Sequence, residues 1–153
     1  MRVADFLRKE WIIPDLASHN KEGALSEMVG VLEKTKGVPD AGKALTVLLE
    51  REQLGSTGIG EGIAIPHGKL SEIGDVVSVF ALSRNGVDFD SMDGAPVHIL
   101  FLLIAPENSA SLHLKALARI SRLLKSRQFR DELIKQSSVE DLFDLIVSED
   151  EKY

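Results

Sequence analysis

A chain of 153 residues with 44% hydrophobic content is long enough to bury a core and short enough to form a single domain. Its formal net charge of −6 speaks against general nucleic-acid or anionic-membrane binding, and the lack of cysteine excludes disulfides, thiolate metal sites and cysteine nucleophiles. The start, Met1-Arg2-Val3-Ala4-Asp5, has no signal-peptide apolar core, and no uninterrupted apolar segment could span a bilayer, so a cytoplasmic protein without membrane insertion is expected.

In chain order, residues 3–8 predict a short helix, and Trp11-Ile12-Ile13 an extended stretch before Pro14. From Asn20 to Lys36, Leu25, Met28, Val29 and Leu32 recur at helical spacing, with Gly37 as the expected C′ residue. Asp40 is suited to cap a second helix that buries Ala44, Leu45, Leu48 and Leu49 and ends near Glu50-Arg51-Glu52. A glycine-rich loop follows, Gly55-Ser56-Thr57-Gly58-Ile59-Gly60-Glu61-Gly62. Ile63-Ala64-Ile65, bounded by Gly and Pro, reads as a short buried strand. Pro66 cannot donate to a ladder, so pairing is expected to stop there and leave His67 at a strand end, with Gly68 opening room beside it for another molecule.

Val76–Leu82 predicts a strand, Asn85-Gly86 a hairpin turn and Val87–Phe89 its return. Val97–Ala105 is almost wholly apolar, as in a central strand buried on both faces. Ser109 is the expected N-cap of a helix with Leu114, Leu117, Ala118, Ser121 and Leu124 inward. Two more helices are expected around Phe129–Lys135 and Val139–Val147, followed by a charged tail, Glu149–Lys152. The expected fold is a single compact α/β domain over residues 1–153, with a mixed β-sheet flanked by helices on both sides.

Two nucleotide motifs fail on spacing. Gly62 to Gly68 is one residue too long for a P-loop, and Leu70 stands where the hydroxyl residue belongs; Gly58-Ile59-Gly60-Glu61-Gly62 has the wrong spacing for a dinucleotide fingerprint and precedes a strand. His67 has two readings: a nucleophile, since a neutral imidazole attacks phosphorus without a separate base, or a structural histidine in a turn. His113, in the first turn of its helix, is either a neutral donor to a phosphoryl oxygen or a surface histidine. Arg51 is either a phosphate contact or an exposed charge between Glu50 and Glu52, and Ser56 and Thr57 are either donors or turn-forming hydroxyls. His19 reads as exposed loop, and His98 as a position at the start of a strand. The four histidines lack metal-ligand spacing, and no G-x-S-x-G elbow is present. Lys115, Arg119, Arg122, Lys125, Arg127 and Arg130 form either a basic contact surface or a solvated helix face.

Gly55-Ser56-Thr57-Gly58-Ile59-Gly60 followed by Ile63-Ala64-Ile65-Pro66-His67-Gly68 resembles the signature of enzyme IIA domains of the fructose–mannitol class, from the bacterial phosphoenolpyruvate-dependent sugar phosphotransferase system. Leu49-Glu50-Arg51-Glu52, Asp88-Phe89-Asp90, Gly94-Ala95-Pro96-Val97 and Pro106…His113-Leu114 match as well, so the likeness covers nearly the whole chain. The resemblance implies that His67 accepts a phosphoryl group from an HPr-type phosphocarrier and passes it to an enzyme IIB partner or uses it to control regulatory target proteins. It also implies that His113 supports the phosphoryl oxygens, with Arg51 near the site. Backbone N–H groups at Gly58, Gly60 and Gly68, with Ser56 and Thr57, are the candidate loop donors, and no metal or cofactor is implied. The segment from Val3-Ala4-Asp5-Phe6-Leu7 to Ile13-Pro14-Asp15-Leu16 resembles the free-standing nitrogen-regulatory members, as does the lack of a following IIB- or IIC-like segment. A sugar-uptake IIA is the alternative.

Overall fold

A computed structural model describes residues 1–153. Short 3₁₀ turns at Val3–Asp5 and Lys9–Trp11 lead into strand β1, Ile12–Ile13. Helices α1, Lys21–Lys34, and α2, Ala41–Gln53, follow, each capped as its sequence dictates. Asn20 accepts from Gly23 N–H and Asp40 from Lys43 N–H, which satisfies donors that a helix start leaves free. The end of α1 corrects the expectation for Gly37. The C′ residue is Lys36, at φ +60°, and Gly37 lies one position beyond it, donating to the Leu32 carbonyl at 2.7 Å in a Schellman arrangement. Glycine is needed at 37 for space, because a Cβ there would sit 3.0 Å from Leu32 and 3.2 Å from Trp11.

The sheet is built from β1, β2 (Gly58–Gly60), β3 (Ile63–Ala64), β4 (His67–Leu70), β5 (Val77–Val87) and β6 (Val97–Pro106). Its order is β1-β5-β6-β3-β2, with β4 also beside β6. The pairs β1–β5, β3–β6 and β4–β6 are parallel, while β5–β6 and β2–β3 are antiparallel. Strand β6 is the centre, as its apolar run requires: from Ile99 to Ala105 every residue is at most 2% exposed, so both faces of the sheet are covered. Two groups of helices provide that cover, α1 with α2, and α3 (Ala110–Lys125) with α4 (Arg127–Ile134) and α5 (Val139–Asp150). Phe101 and Phe80, paired across β6 and β5, meet edge to face with ring centroids 5.5 Å apart. Replacing Phe101 with alanine is expected to destabilise the domain by about 3–5 kcal/mol in chemical denaturation.

Several expectations are overturned. Asn85-Gly86 makes no hairpin turn; it lies within β5, in a bulge where pairing shifts from Leu82↔Ile99 to Val87↔Val97. Gly86, at φ +89°, fits there because a Cβ would approach Pro96 to 2.9 Å and His98 to 3.1 Å. The return strand is therefore β6 and not Val87–Phe89. Pairing does not end at Pro66 either: β4 resumes beside β6 with His67 opposite Leu103. Proline's missing donor interrupts β3 and β4 without turning the chain away. Helix α3 is rotated about its axis from the expected face, burying His113, Ala116, Ile120, Leu123 and Leu124 and leaving Leu114 67% exposed. Ser109 occupies its N-cap without a side-chain capping bond. The tail is helical to Asp150, which is 2% exposed and accepts from Val3 N–H at 2.8 Å and Arg119 Nε at 2.6 Å. The first helix expected over residues 3–8 shrinks to the turn Val3–Asp5.

Candidate functional site: a histidine pair at the sheet edge

His67 opens β4 and is half-buried. Its Nδ1 lies 2.8 Å from the carbonyl oxygen of Ile65. A carbonyl only accepts, so Nδ1 carries a proton, and in the neutral ring the lone pair falls on Nε2. The Ile65-Pro66 step between the two strands supplies that carbonyl, since Ile65 lies outside the ladder. The next residue, Gly68, packs against α2. The space that glycine opens is filled by Val47, and a Cβ at 68 would fall 2.7 Å from Val47 Cγ1. Gly68 thus brings α2 onto β4 and does not leave a ligand cavity. Gly68→Ala is expected to cost about 1–3 kcal/mol of stability, measured by thermal or urea unfolding.

The inward face of α3 delivers His113 to the same place. The rings of His67 and His113 stand edge to face, with centroids 5.5 Å apart and planes inclined by 69°. Only 9% of His113 is exposed. Burial holds its pKa below the ordinary value, and positive charge on His67 and on Lys69 pushes in the same direction. His113 is therefore a neutral imidazole at neutral pH, set against the ring of His67. The reading of it as a surface histidine is corrected by the rotation of α3.

The loop residues are committed to the protein. Ser56 Oγ donates to Phe89 O at 2.6 Å and accepts from Gly58 N–H at 3.0 Å. Thr57 Oγ1 donates to Glu52, whose carboxylate also accepts Thr57 N–H at 3.0 Å. These two hydroxyl protons and the Gly58 N–H hold the loop together. Gly60, Glu61 and Gly62, at φ +96°, +57° and +76°, form the tip between β2 and β3. Arg51 Nη1 donates to Gly55 O at 2.9 Å, which braces the loop and leaves its other guanidinium nitrogens available. His98 Nδ1 contacts Ser83 O at 2.8 Å, while His19 is exposed.

The basic series divides. Arg119 pairs with Asp150, and Arg130, 7% exposed, donates to Leu124 O and Lys125 O and pairs with Glu61 at 3.2 Å. Neither is part of a continuous basic surface. Glu52 is the residue that the sequence reading passed over. It is 7% exposed although it follows Glu50 and Arg51 in a charged run, and Lys21 Nζ lies 3.2 Å from it. Its only sequence signal is its position one helical turn after Leu48, in line with the buried face of α2.

A cleft of about 820 Å³ is lined by Phe6, Trp11, Glu33, Val38, Ile73 and Val77 among others and does not include the histidines. The structure is an α/β domain, and the paired imidazoles of His67 and His113 are its candidate site. A family model described as "Phosphoenolpyruvate-dependent sugar phosphotransferase system, EIIA 2" matches residues 5–149, and the chain belongs to that family. It is 42% identical over 133 residues to a nitrogen regulatory protein of Bradyrhizobium diazoefficiens, covering 87% of this chain and 86% of that protein. It is 38% identical over 150 residues to the fructose-specific EIIABC component of Bacillus subtilis, covering 98% of this chain but only 24% of that longer protein. The crystal structure of the nitrogen regulatory protein IIA-Ntr from Neisseria meningitidis superposes with a TM-score of 0.87 at 30% identity, over 94% of this chain and 98% of that one. The resemblance read from the Ala64–Gly68 motif is borne out at the level of family, with regulatory and sugar-specific relatives both represented. No helix is long and apolar enough to cross a membrane.

Proposed function

We propose that this domain is a phosphohistidine carrier that accepts a phosphoryl group on Nε2 of His67 from an HPr-type phosphocarrier and works mainly as a regulator of proteins that read its phosphorylation state. The observation that carries the chemistry is the Nδ1–H···O=C contact of His67 at 2.8 Å, which sets the tautomer with its lone pair on Nε2. In the transfer, the Nε2 lone pair forms the new N–P bond as the P–N bond of the donor phosphoimidazole breaks, and that bond's electron pair returns to the donor ring. The His67 ring gains positive charge, which the Ile65 carbonyl opposite Nδ1–H supports. That charge keeps the N–P bond labile, as a carrier needs. His113 stabilises the phosphoryl oxygens, and the free nitrogens of Arg51 serve the phosphoryl group or the partner.

The surroundings fit a protein as the donor. Leu54, Ile59, Met92 and Leu114 are 85%, 53%, 83% and 67% exposed. Leu114 follows His113, Leu54 opens the glycine loop, and Met92 N–H bonds Gly58 O beside Ile59. Exposed apolar side chains on the glycine loop and beside His113 suit docking of a macromolecule better than capture of a small solute. The regulatory reading draws on the 42% identity to a nitrogen regulatory protein along most of both chains. Transfer to an enzyme IIB of a fructose- or mannitol-type transporter is the second reading, favoured by the 38% identity to the fructose-specific relative. Intact mass measured after incubation with phosphoenolpyruvate, enzyme I and HPr tests the carrier function: one acid-labile phosphoryl group is expected. Offering the labelled protein to IIB domains separates the two readings, since a regulator that is not a donor keeps its label.

A further inference from the structure

The carrier chemistry proposed for His67 requires its proton to stay on Nδ1, and the acceptor of that proton is held by a short relay of contacts. Ile65 lies in the gap between β3 and β4, so its N–H does not enter the ladder with β6; it donates to Thr57 O at 3.1 Å. Thr57, 4% exposed, is gripped twice by Glu52, through its N–H and through its hydroxyl. Glu52 is itself buried and is matched by Lys21, which reaches on to Asp90 at 3.5 Å and lies over the Phe89 ring. A carboxylate withdrawn from water persists only where its oxygens are fully engaged, and here every engagement is with Thr57 or Lys21.

We infer that Glu52 is a positioning residue for phosphoryl transfer, an inference that rests on His67 being the carrier: Glu52 holds Thr57, Thr57 holds Ile65, and the Ile65 carbonyl holds His67 with its proton on Nδ1. The contacts pass through separate peptide groups, so the effect is one of placement rather than of charge carried along a single amide. Removing Glu52 frees Thr57, lets the Ile65 carbonyl drift from Nδ1 and allows the proton to move to Nε2, where it blocks attack.

The test reads the His67 tautomer by ¹⁵N–¹H NMR of the imidazole, in parallel with the rate of phosphorylation by phospho-HPr. The wild type is expected almost wholly as the Nδ1–H form. Glu52→Ala is expected to show mixed tautomers and a rate lower by about tenfold. Glu52→Gln keeps one acceptor oxygen for Thr57 N–H and should recover most of both signals. Lys21→Met/Glu52→Leu leaves no unpaired buried charge, so it retains the fold if Glu52→Ala does not, and it still lacks the grip on Thr57. Mixed tautomers in that double variant support the inference. A wild-type tautomer in folded Glu52→Ala or in the double variant overturns it and makes Glu52 a stability element alone. The tautomer is read without any phosphoryl donor, so failure of the wild type to accept phosphate would defeat the carrier reading and leave this inference to be judged on the spectrum.

Discussion

His67→Ala is expected to accept no phosphoryl group under conditions that label the wild type completely, as read by intact mass. The variant removes the imidazole whose Nδ1 is tied to the Ile65 carbonyl and whose ring meets that of His113. His113 is not expected to take over the reaction, because it is only 9% exposed. His98 has a comparable contact, Nδ1 to Ser83 O, but lies near the start of β6, five positions before the Leu103 that pairs with His67. The fold should be unaffected, since His67 is half-buried and contributes no core volume. Label retained on His67→Ala would place the acceptor elsewhere and defeat the proposal.

His113→Ala is expected to slow transfer by about 10²-fold while His67 remains fully modifiable at long times, the size of effect seen when one preorganised donor to a developing anion is removed. His113→Gln, whose amide still donates, should recover part of the rate; unchanged single-turnover kinetics in His113→Ala would remove His113 from the mechanism. The pH behaviour follows from the environment of the ring. Burial, then repulsion from His67 and Lys69, lowers the His113 pKa below its ordinary value of 6.5. The unfolded chain therefore takes up a proton at this position before the folded one does, and as pH falls through the window just below 6.5 the folded state loses stability. His113→Gln should flatten that part of the stability–pH curve. In an NMR titration His113 should show its midpoint below 6.5, and His67→Ala should shift it upward by removing one repulsive neighbour while the burial remains. A phosphoryl group on His67 should also shift it upward, toward the imidazolium form, because an anion nearby favours the charged ring.

Much of this protein was legible in the chain because it is written in local patterns. The apolar run from Val97 to Ala105 allows no strand but a central one, and Asn20 and Asp40 cap their helices through contacts with residues three positions away. The motif Ala64-Ile65-Pro66-His67-Gly68 identified the family, and it places the Ile65 carbonyl two residues before the histidine that contacts it. What the sequence could not determine depends on partners distant along the chain. Helix α3 carries leucines at 112, 114, 117, 123 and 124, enough for two apolar stripes about one residue apart, and only packing against β6 chose the one that turns His113 inward. Asn85-Gly86 has a hairpin's local chemistry, yet β5 runs through it because nine residues, 88–96, stand ready to make the true connection to β6. Gly68 signalled missing volume, but nothing near it in sequence said that Val47 would fill the space. Glu52 drew no reading of its own and Arg130 read as part of a basic surface or solvated helix face, yet both are buried, because their counterparts, Lys21 and Thr57 for one and Glu61 with two backbone carbonyls for the other, are assembled only when the chain folds. Sequence by itself determined most of the elements and the family, and through the family it named His67 and His113 as candidates, since these follow from short-range sterics, periodicity and a local motif; the tertiary structure alone decided that the two rings meet, which carbonyl faces Nδ1 of His67 and where the buried carboxylate of Glu52 finds its partners, since each is a contact that only the folded chain assembles.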